Sequence, residues 1–402
     1  MSLFNRSNKI AVFVIFFLYF LFSIHATNVP LTSLFFKIQY VMNILFILIG
    51  IIVLFKTKTK INLVLFLVVF YLIFSSFLFN QYNTNFQLFN IIIDLFSYTI
   101  IGIILGQTVN FERIVNVLFY YFLLLAVLCI LNAIFFPQMG KELSGEWRGV
   151  LYQKNALANV MVFGLIINYI YLLTKSTIKR SYRLCLGYTS LFTIFFLIVM
   201  TESATGLMVG ISLSLAFFIF VLFYKIKNMN LKLVLISLTS ILIIFLILTL
   251  LENEGRVFEF LGKDSNLTGR NVIFEYVKSI IKDHLFLGIG YSGIPNSYLL
   301  NSNETYQAIG FHVYYAHNGF LEILFQIGIV GILMYLYFYF TISKILLFEI
   351  DNIVKVFVLL FFVYNILYNL SEVTFLTGEG NNFQWFVMCL LITYYSRFKS
   401  IK

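Results

Sequence analysis

Two short stretches hold side chains suited to chemistry: Gly269-Arg270-Asn271-Val272-Ile273-Phe274-Glu275-Tyr276, and Ala316-His317-Asn318-Gly319-Phe320-Leu321-Glu322-Ile323-Leu324. Arg270 offers a permanently charged guanidinium fork that matches phosphate oxygens. It stands in the first turn of an amphipathic pattern, where a cation opposes the helix dipole, so either a ligand or an ion pair with a loop acid must hold it there. His317 can take a proton from a hydroxyl near neutral pH, and an amide or carboxylate such as Asn318 or Glu322 can fix its tautomer. A histidine just ahead of an apolar run is equally suited to interfacial hydrogen bonding. Both readings stand at this point.

The stretch from Gly140 to Ala158 carries Arg148, Lys154 and Asn155 at the start of a helix. Two cations at a helix N-terminus can cradle an anion, and they can equally be anchors snorkelling at a span end. In the tight turn Thr201-Glu202-Ser203-Ala204-Thr205-Gly206, Ser203 or Thr205 is a natural N-cap, and Glu202 could orient a cation. The three cysteines, Cys129, Cys185 and Cys389, lie in apolar runs without metal-like or paired spacing and read as small core residues. No P-loop, dinucleotide fingerprint or His-Glu-x-x-His occurs, so no metal or cofactor is expected, and any substrate must arrive already activated.

These residues need elements to position them, and composition names the class. With 61% hydrophobic and 11% charged residues in 402, the chain reads as an all-α, polytopic membrane protein. Apolar runs fall at about residues 10–24, 34–55, 61–79, 89–106, 114–136, 155–173, 184–200, 205–224, 233–251, 318–343, 353–371 and 383–396. That is about twelve spans, the first an uncleaved helix rather than a signal peptide. With the N-terminus in the cytoplasm, Lys56, Lys58, Lys60, Lys175, Lys179, Arg180, Arg183, Lys225, Lys227, Lys232, Arg397, Lys399 and Lys402 all lie inside. The net charge of +10 is therefore a topology signal and not a nucleic-acid footprint. Both termini are expected in the cytoplasm. All four histidines, His25, His284, His312 and His317, fall outside.

The chain divides into an N-terminal bundle (1–251), a long outer loop (252–317) and C-terminal spans (318–402). Within the loop, Ile273, Tyr276, Val277, Ile280, Ile281 and His284 recur at helical spacing, while Glu275, Lys278, Lys282 and Asp283 point elsewhere. This predicts an amphipathic helix capped near Thr268, ended by Leu287-Gly288-Ile289-Gly290, and docked on the membrane domain.

The order of Gly269-Arg270 helix, Leu287-Gly288-Ile289-Gly290, His317-Asn318 with Leu321-Glu322, then Gly328 and Gly331 resembles the O-antigen ligase and polymerase superfamily. The segment from Arg148 to Asn155 is similar to that family's earlier outer loop, and Ser371-Glu372 to Phe375 to its last. The resemblance implies a metal-independent glycosyltransferase in the bacterial cytoplasmic membrane, with its active site on the outer side. Donor and acceptor would be undecaprenyl-diphosphate-linked oligosaccharides, with membrane lipid around them and a chain-length regulator as a further protein partner. By motif position Arg270 meets the diphosphate and His317 assists the acceptor hydroxyl. Members often carry an arginine where this chain has Ala204, so the resemblance implies that Arg148, Lys154 or Arg256 supplies the missing charge. Asn155, Asn318 and Glu322 complete the expected substrate-binding set.

That departure and the two basic outer loops favour a polymerase of O-antigen, capsule or exopolysaccharide over a ligase that moves finished glycan to lipid A core. A lipid-linked oligosaccharide flippase would place ionisable groups inside the bundle, where only Asp94 and Lys37 are candidates. A non-catalytic scaffold would have no use for the Arg270 and His317 arrangement.

Overall fold

The computed structural model describes residues 32–57, 63–79, 85–174, 179–225, 270–291, 315–347, 351–375 and 383–399, and these are almost wholly helical. The helices are α1 (Thr32–Thr57), α2 (Leu63–Phe79), α3 (Asn85–Thr108), α4 (Phe111–Phe135), the one-turn α5 (Pro137–Gly140), α6 (Lys154–Leu173), α7 (Arg180–Met200) and α8 (Ala204–Lys225). After these come α9 (Arg270–Asp283), α10 (Gly319–Leu347), α11 (Asn352–Ser371) and α12 (Phe383–Lys399). Ten of the expected apolar runs coincide with helices here, while runs 10–24 and 233–251 lie outside the described residues. Among the described residues, seven helices are long and apolar enough to cross a membrane, which makes this a multi-pass membrane protein. Helices serve because hydrocarbon offers no partner for a free backbone N–H or C=O.

Helix α6 is the axis. Fifteen of its residues are buried, including Leu157, Met161, Leu165 and Ile170, as expected of a helix that is apolar on every side. Phe119 of α4 stacks on Tyr171 with centroids 3.6 Å apart, and Phe163 meets the ring edges of Phe357 and Phe361 from α11. Elsewhere, α3 receives α12 across Gly102 and Gly106, one turn apart, where an added Cβ would press on the α12 backbone at Phe386 and Leu390. Trp385 Nε1 donates to Thr99 Oγ1 at 2.8 Å across the same contact. Of the two ionisable groups expected within spans, Asp94 accepts a short hydrogen bond from Asn43 of α1, and Lys37 is exposed.

Helix α9 docks as its pattern requires. Ile273, Val277 and Ile281 are buried with Ala316 and Phe325, whereas Glu275 and Lys278 are exposed and pair at 3.4 Å. Two expectations need correction. The helix stops at Asp283, four residues before Leu287, so the backbone leaves the helical track and His284 is exposed rather than carried onto the apolar face. Thr268 lies outside the described residues. Cys185 is also exposed on α7, whereas Cys129 and Cys389 are buried as expected; α7 is a peripheral helix whose large apolar side chains, Phe192 among them, also point outward.

Past α9 the chain crosses a break in α10. Gly328 takes φ 65 and ψ −161, which interrupts the helical ladder. The stranded backbone groups are met by the incoming segment: Ile289 N donates to Phe325 O (3.0 Å), and Leu285 O accepts from Ile329 N (2.9 Å). Tyr291 is then fastened to α2, its N–H donating to Ser75 Oγ at 3.2 Å and its C=O accepting from Ser76 Oγ at 2.8 Å. Irregular backbone at membrane depth is tolerated where protein satisfies it in this way.

Candidate functional site

Four connections meet at one end of the bundle: the segment 141–153, the turn Thr201–Ser203, the approach 315–318 and the segment 372–375. Trp147 N donates to Met200 O (2.9 Å), Gln153 Nε2 to Tyr315 Oη (2.6 Å) and Asn318 Nδ2 to Leu370 O (3.1 Å). This is the end that sequence reading assigned to the outside. The opposite end joins α12 to the α3–α4 turn through Arg397 and the Val109 carbonyl.

His317 sits at the centre of these connections with φ 51, a left-handed backbone uncommon for a side chain of its size. Its neighbours hold it there. Asn318 caps α10, its Oδ1 accepting from Phe320 N and Leu321 N, both at 3.0 Å. Glu322, buried in the first turn, accepts from the Ala316 amide at 2.7 Å and from Gln326 Nε2 at 2.6 Å. Glu322 therefore fixes the main chain before the histidine through its hydrogen bonds, and its charge also interacts with His317. Glu322 lies within α10, whereas His317 precedes that helix on left-handed backbone, and the carboxylate meets the approaching main chain at Ala316. Asn318 is likewise engaged in capping.

The carboxylate beside the imidazole belongs to Glu372, whose Oε2 lies 3.4 Å from His317 Nδ1. Glu372 Oε1 accepts from Asn155 Nδ2 at 3.0 Å, which ties the start of α6 to the end of α11. Tyr315 completes the rim, its ring centroid 4.5 Å from that of His317. Glu372, Tyr315 and Gln153 were not among the site residues expected from sequence, although Glu372 lies in the stretch similar to the family's last outer loop. The available signal was a lone acid directly after an apolar run, and spacing alone could not say which histidine it would meet.

The basic candidates separate. Lys154 Nζ pairs with Glu146 Oε1 at 2.7 Å, and Lys154 N donates to Glu142 Oε1 at 2.7 Å. Burial raises the Glu146 carboxyl, but hydrogen bonds from Lys154 and Ser144 and the Lys154 charge outweigh it and hold the group at about 2. Arg148 folds back on its own segment, Nε donating to Met139 O (2.9 Å) and Nη2 to Gln138 O (3.2 Å). Of the two cations expected to form an anion cradle, Lys154 has its charge paired by Glu146 of the same loop, whereas Arg148 meets only main-chain carbonyls. Ser203 caps α8, accepting from Gly206 N at 3.3 Å, and Ala204 is buried beside that cap. Arg256 and His312 lie outside the described residues. Arg270 is described as the first residue of α9, and Ile273, one turn on, packs in one cluster with Ala316. The helix bearing the arginine is thereby docked beside the residue preceding His317.

No curated protein matches this chain. Residues 189–336 match the model of the O-antigen ligase family, and the match spans both Arg270 and His317. Over these residues the chain is similar to the O-antigen ligase family.

Proposed function

We propose that the protein is a glycosyltransferase of the cytoplasmic membrane that polymerises a glycan carried on undecaprenyl diphosphate, with its site on the outer face. The observation carrying this reading is the docking of the Arg270 helix against the residue before His317, inside the family match. An acceptor sugar hydroxyl attacks the anomeric carbon of the donor glycan, and its proton passes to His317 Nε2. The new glycosidic C–O bond forms as the bond to the lipid diphosphate breaks. The diphosphate leaves with the electron pair, neutralised by Arg270 and by further cations among Arg148, Lys154 and Arg256. The proton then leaves the imidazolium for solvent. Arginine suits this role because charge develops on oxygens that its fork can bind in pairs.

Arg148 and Lys154, which have local partners, would need those contacts loosened on substrate arrival, so Arg270 carries the larger part. Asn155, Asn318 and Glu322 shape the site from behind, through Glu372, the α10 cap and the Ala316 amide.

The test is a reconstituted assay with purified lipid-linked repeat unit, read as a product ladder. His317→Asn is the informative variant, since Asn tolerates a left-handed backbone and has no base. A loss of roughly 10² to 10⁴ is expected from removing a general base. Arg270→Lys should be severely impaired despite keeping its charge. A ladder on the lipid diphosphate identifies a polymerase, and transfer only to a lipid A core acceptor a ligase. Wild-type rates for both variants would remove the reading.

A further inference from the structure

Glu372 brings two contacts to the site that no motif required. It is 4% exposed, at the C-terminal cap of α11 with its N–H on Tyr368 O, so its backbone is held by the helix end. One carboxylate oxygen is occupied by Asn155, and the other stands 3.4 Å from a buried imidazole nitrogen that has no hydrogen bond at ordinary geometry. Contacts of this kind are often long before substrate binds and tighten in the complex.

From this juxtaposition we propose that Glu372 is the positioning residue of His317: its carboxylate keeps the proton on Nδ1, so that Nε2 presents a lone pair to the acceptor hydroxyl. This rests on the reading of His317 as the base. A carboxylate can only accept, so a nitrogen facing it must donate, and a neutral imidazole then has its acceptor on the opposite nitrogen. Asn155 provides the second half of the device. By donating to Oε1 it turns Oε2 toward the histidine, and because Asn155 lies in the first turn of the buried α6, the pair is referenced to the rigid axis of the bundle. The carboxylate also stabilises the imidazolium formed once the proton arrives. Other ionisable groups around the pair are Glu322 on α10, Tyr315 on the approach and Tyr368 on α11. Each Glu322 oxygen accepts one hydrogen bond, from Ala316 or Gln326, and the carboxylate recorded against Nδ1 is that of Glu372.

Glu372→Gln tests this with little change of volume. Its amide oxygen can still receive Asn155, but its amide nitrogen then faces Nδ1 and favours the opposite tautomer. Nitrogen-15 spectra of histidine-labelled protein in detergent, with His317→Gln to assign the signal, read the tautomer without any substrate. The Nδ1–H form is expected in wild type and the Nε2–H form in Glu372→Gln. In the glycan assay Glu372→Gln should lose on the order of 10² in kcat/KM. Glu372→Asp, which keeps the carboxylate, should recover part of the rate and the wild-type tautomer. An unchanged tautomer in Glu372→Gln, with His317→Asn inactive, overturns this proposal alone. Full activity of His317→Asn overturns the catalytic reading, while the tautomer result would still stand as a structural fact.

Discussion

Gly288 and Gly328 lie against each other's chain: a Cβ on Gly288 would strike the Gln326 carbonyl, and one on Gly328 would strike the Phe286 carbonyl. Both have positive φ, 68 and 65. Gly288→Ala and Gly328→Ala should each lower the melting temperature in detergent well beyond the ~1 kcal/mol of a left-handed alanine alone. Gly145→Ala, with φ 102 and nothing within 4 Å of its Cβ, is the comparison. Equal melting shifts at positions 145 and 288 would mean that the close approach adds nothing.

The Glu146–Lys154 pair sets an acid limit for the 141–153 segment. A carboxyl held down at about 2 contributes stability above the ordinary carboxylate range, and that contribution is lost as pH falls toward 2. Trp147 is adjacent and buried, and Trp385 is the chain's other tryptophan. In a Trp385→Phe background, Trp147 emission should hold to about pH 4 and change only below it. Lys154→Met should move that midpoint up toward the ordinary range, and an unmoved midpoint would contradict the pairing.

Glu322 and His317 should respond differently to substitution. Replacing Glu322 by Leu leaves the Ala316 amide and Gln326 without their partner, at a cost of about 1–3 kcal/mol, so yield, melting temperature and activity should fall together. His317→Asn should lower activity with little change in melting. An inactive Glu322→Leu protein with wild-type melting would instead give Glu322 a direct part in the reaction.

The sidedness assignment is checked by labelling single cysteines in a background lacking Cys129, Cys185 and Cys389. Leu143→Cys, fully exposed on the 141–153 segment, should react with an impermeant maleimide in intact cells. Arg180→Cys, exposed at the start of α7, should react only after permeabilisation. The reverse pattern would put the site on the cytoplasmic side.

The helices were legible from sequence because a bilayer makes their requirement local: a run of about twenty apolar residues must satisfy its own backbone, and Lys and Arg report the ends. The docked face of α9 was legible for a similar reason, since Ile273, Val277 and Ile281 lie one turn apart and periodicity is a property of neighbours. The identity of the acid beside His317 was not. Glu322 is near in sequence, but its hydrogen bonds go to the Ala316 amide and Gln326. Glu372 is 55 positions away and arrives only because α10 and α11 pack side by side and Asn155 on α6 receives it. Likewise, Leu287-Gly288-Ile289-Gly290 reads as a helix stop, and only the break at Gly328 made it the partner that completes α10. Local spacing decides which faces are apolar. Which polar groups meet across those faces is decided by packing, because each contact depends on two elements whose relative placement no single stretch encodes.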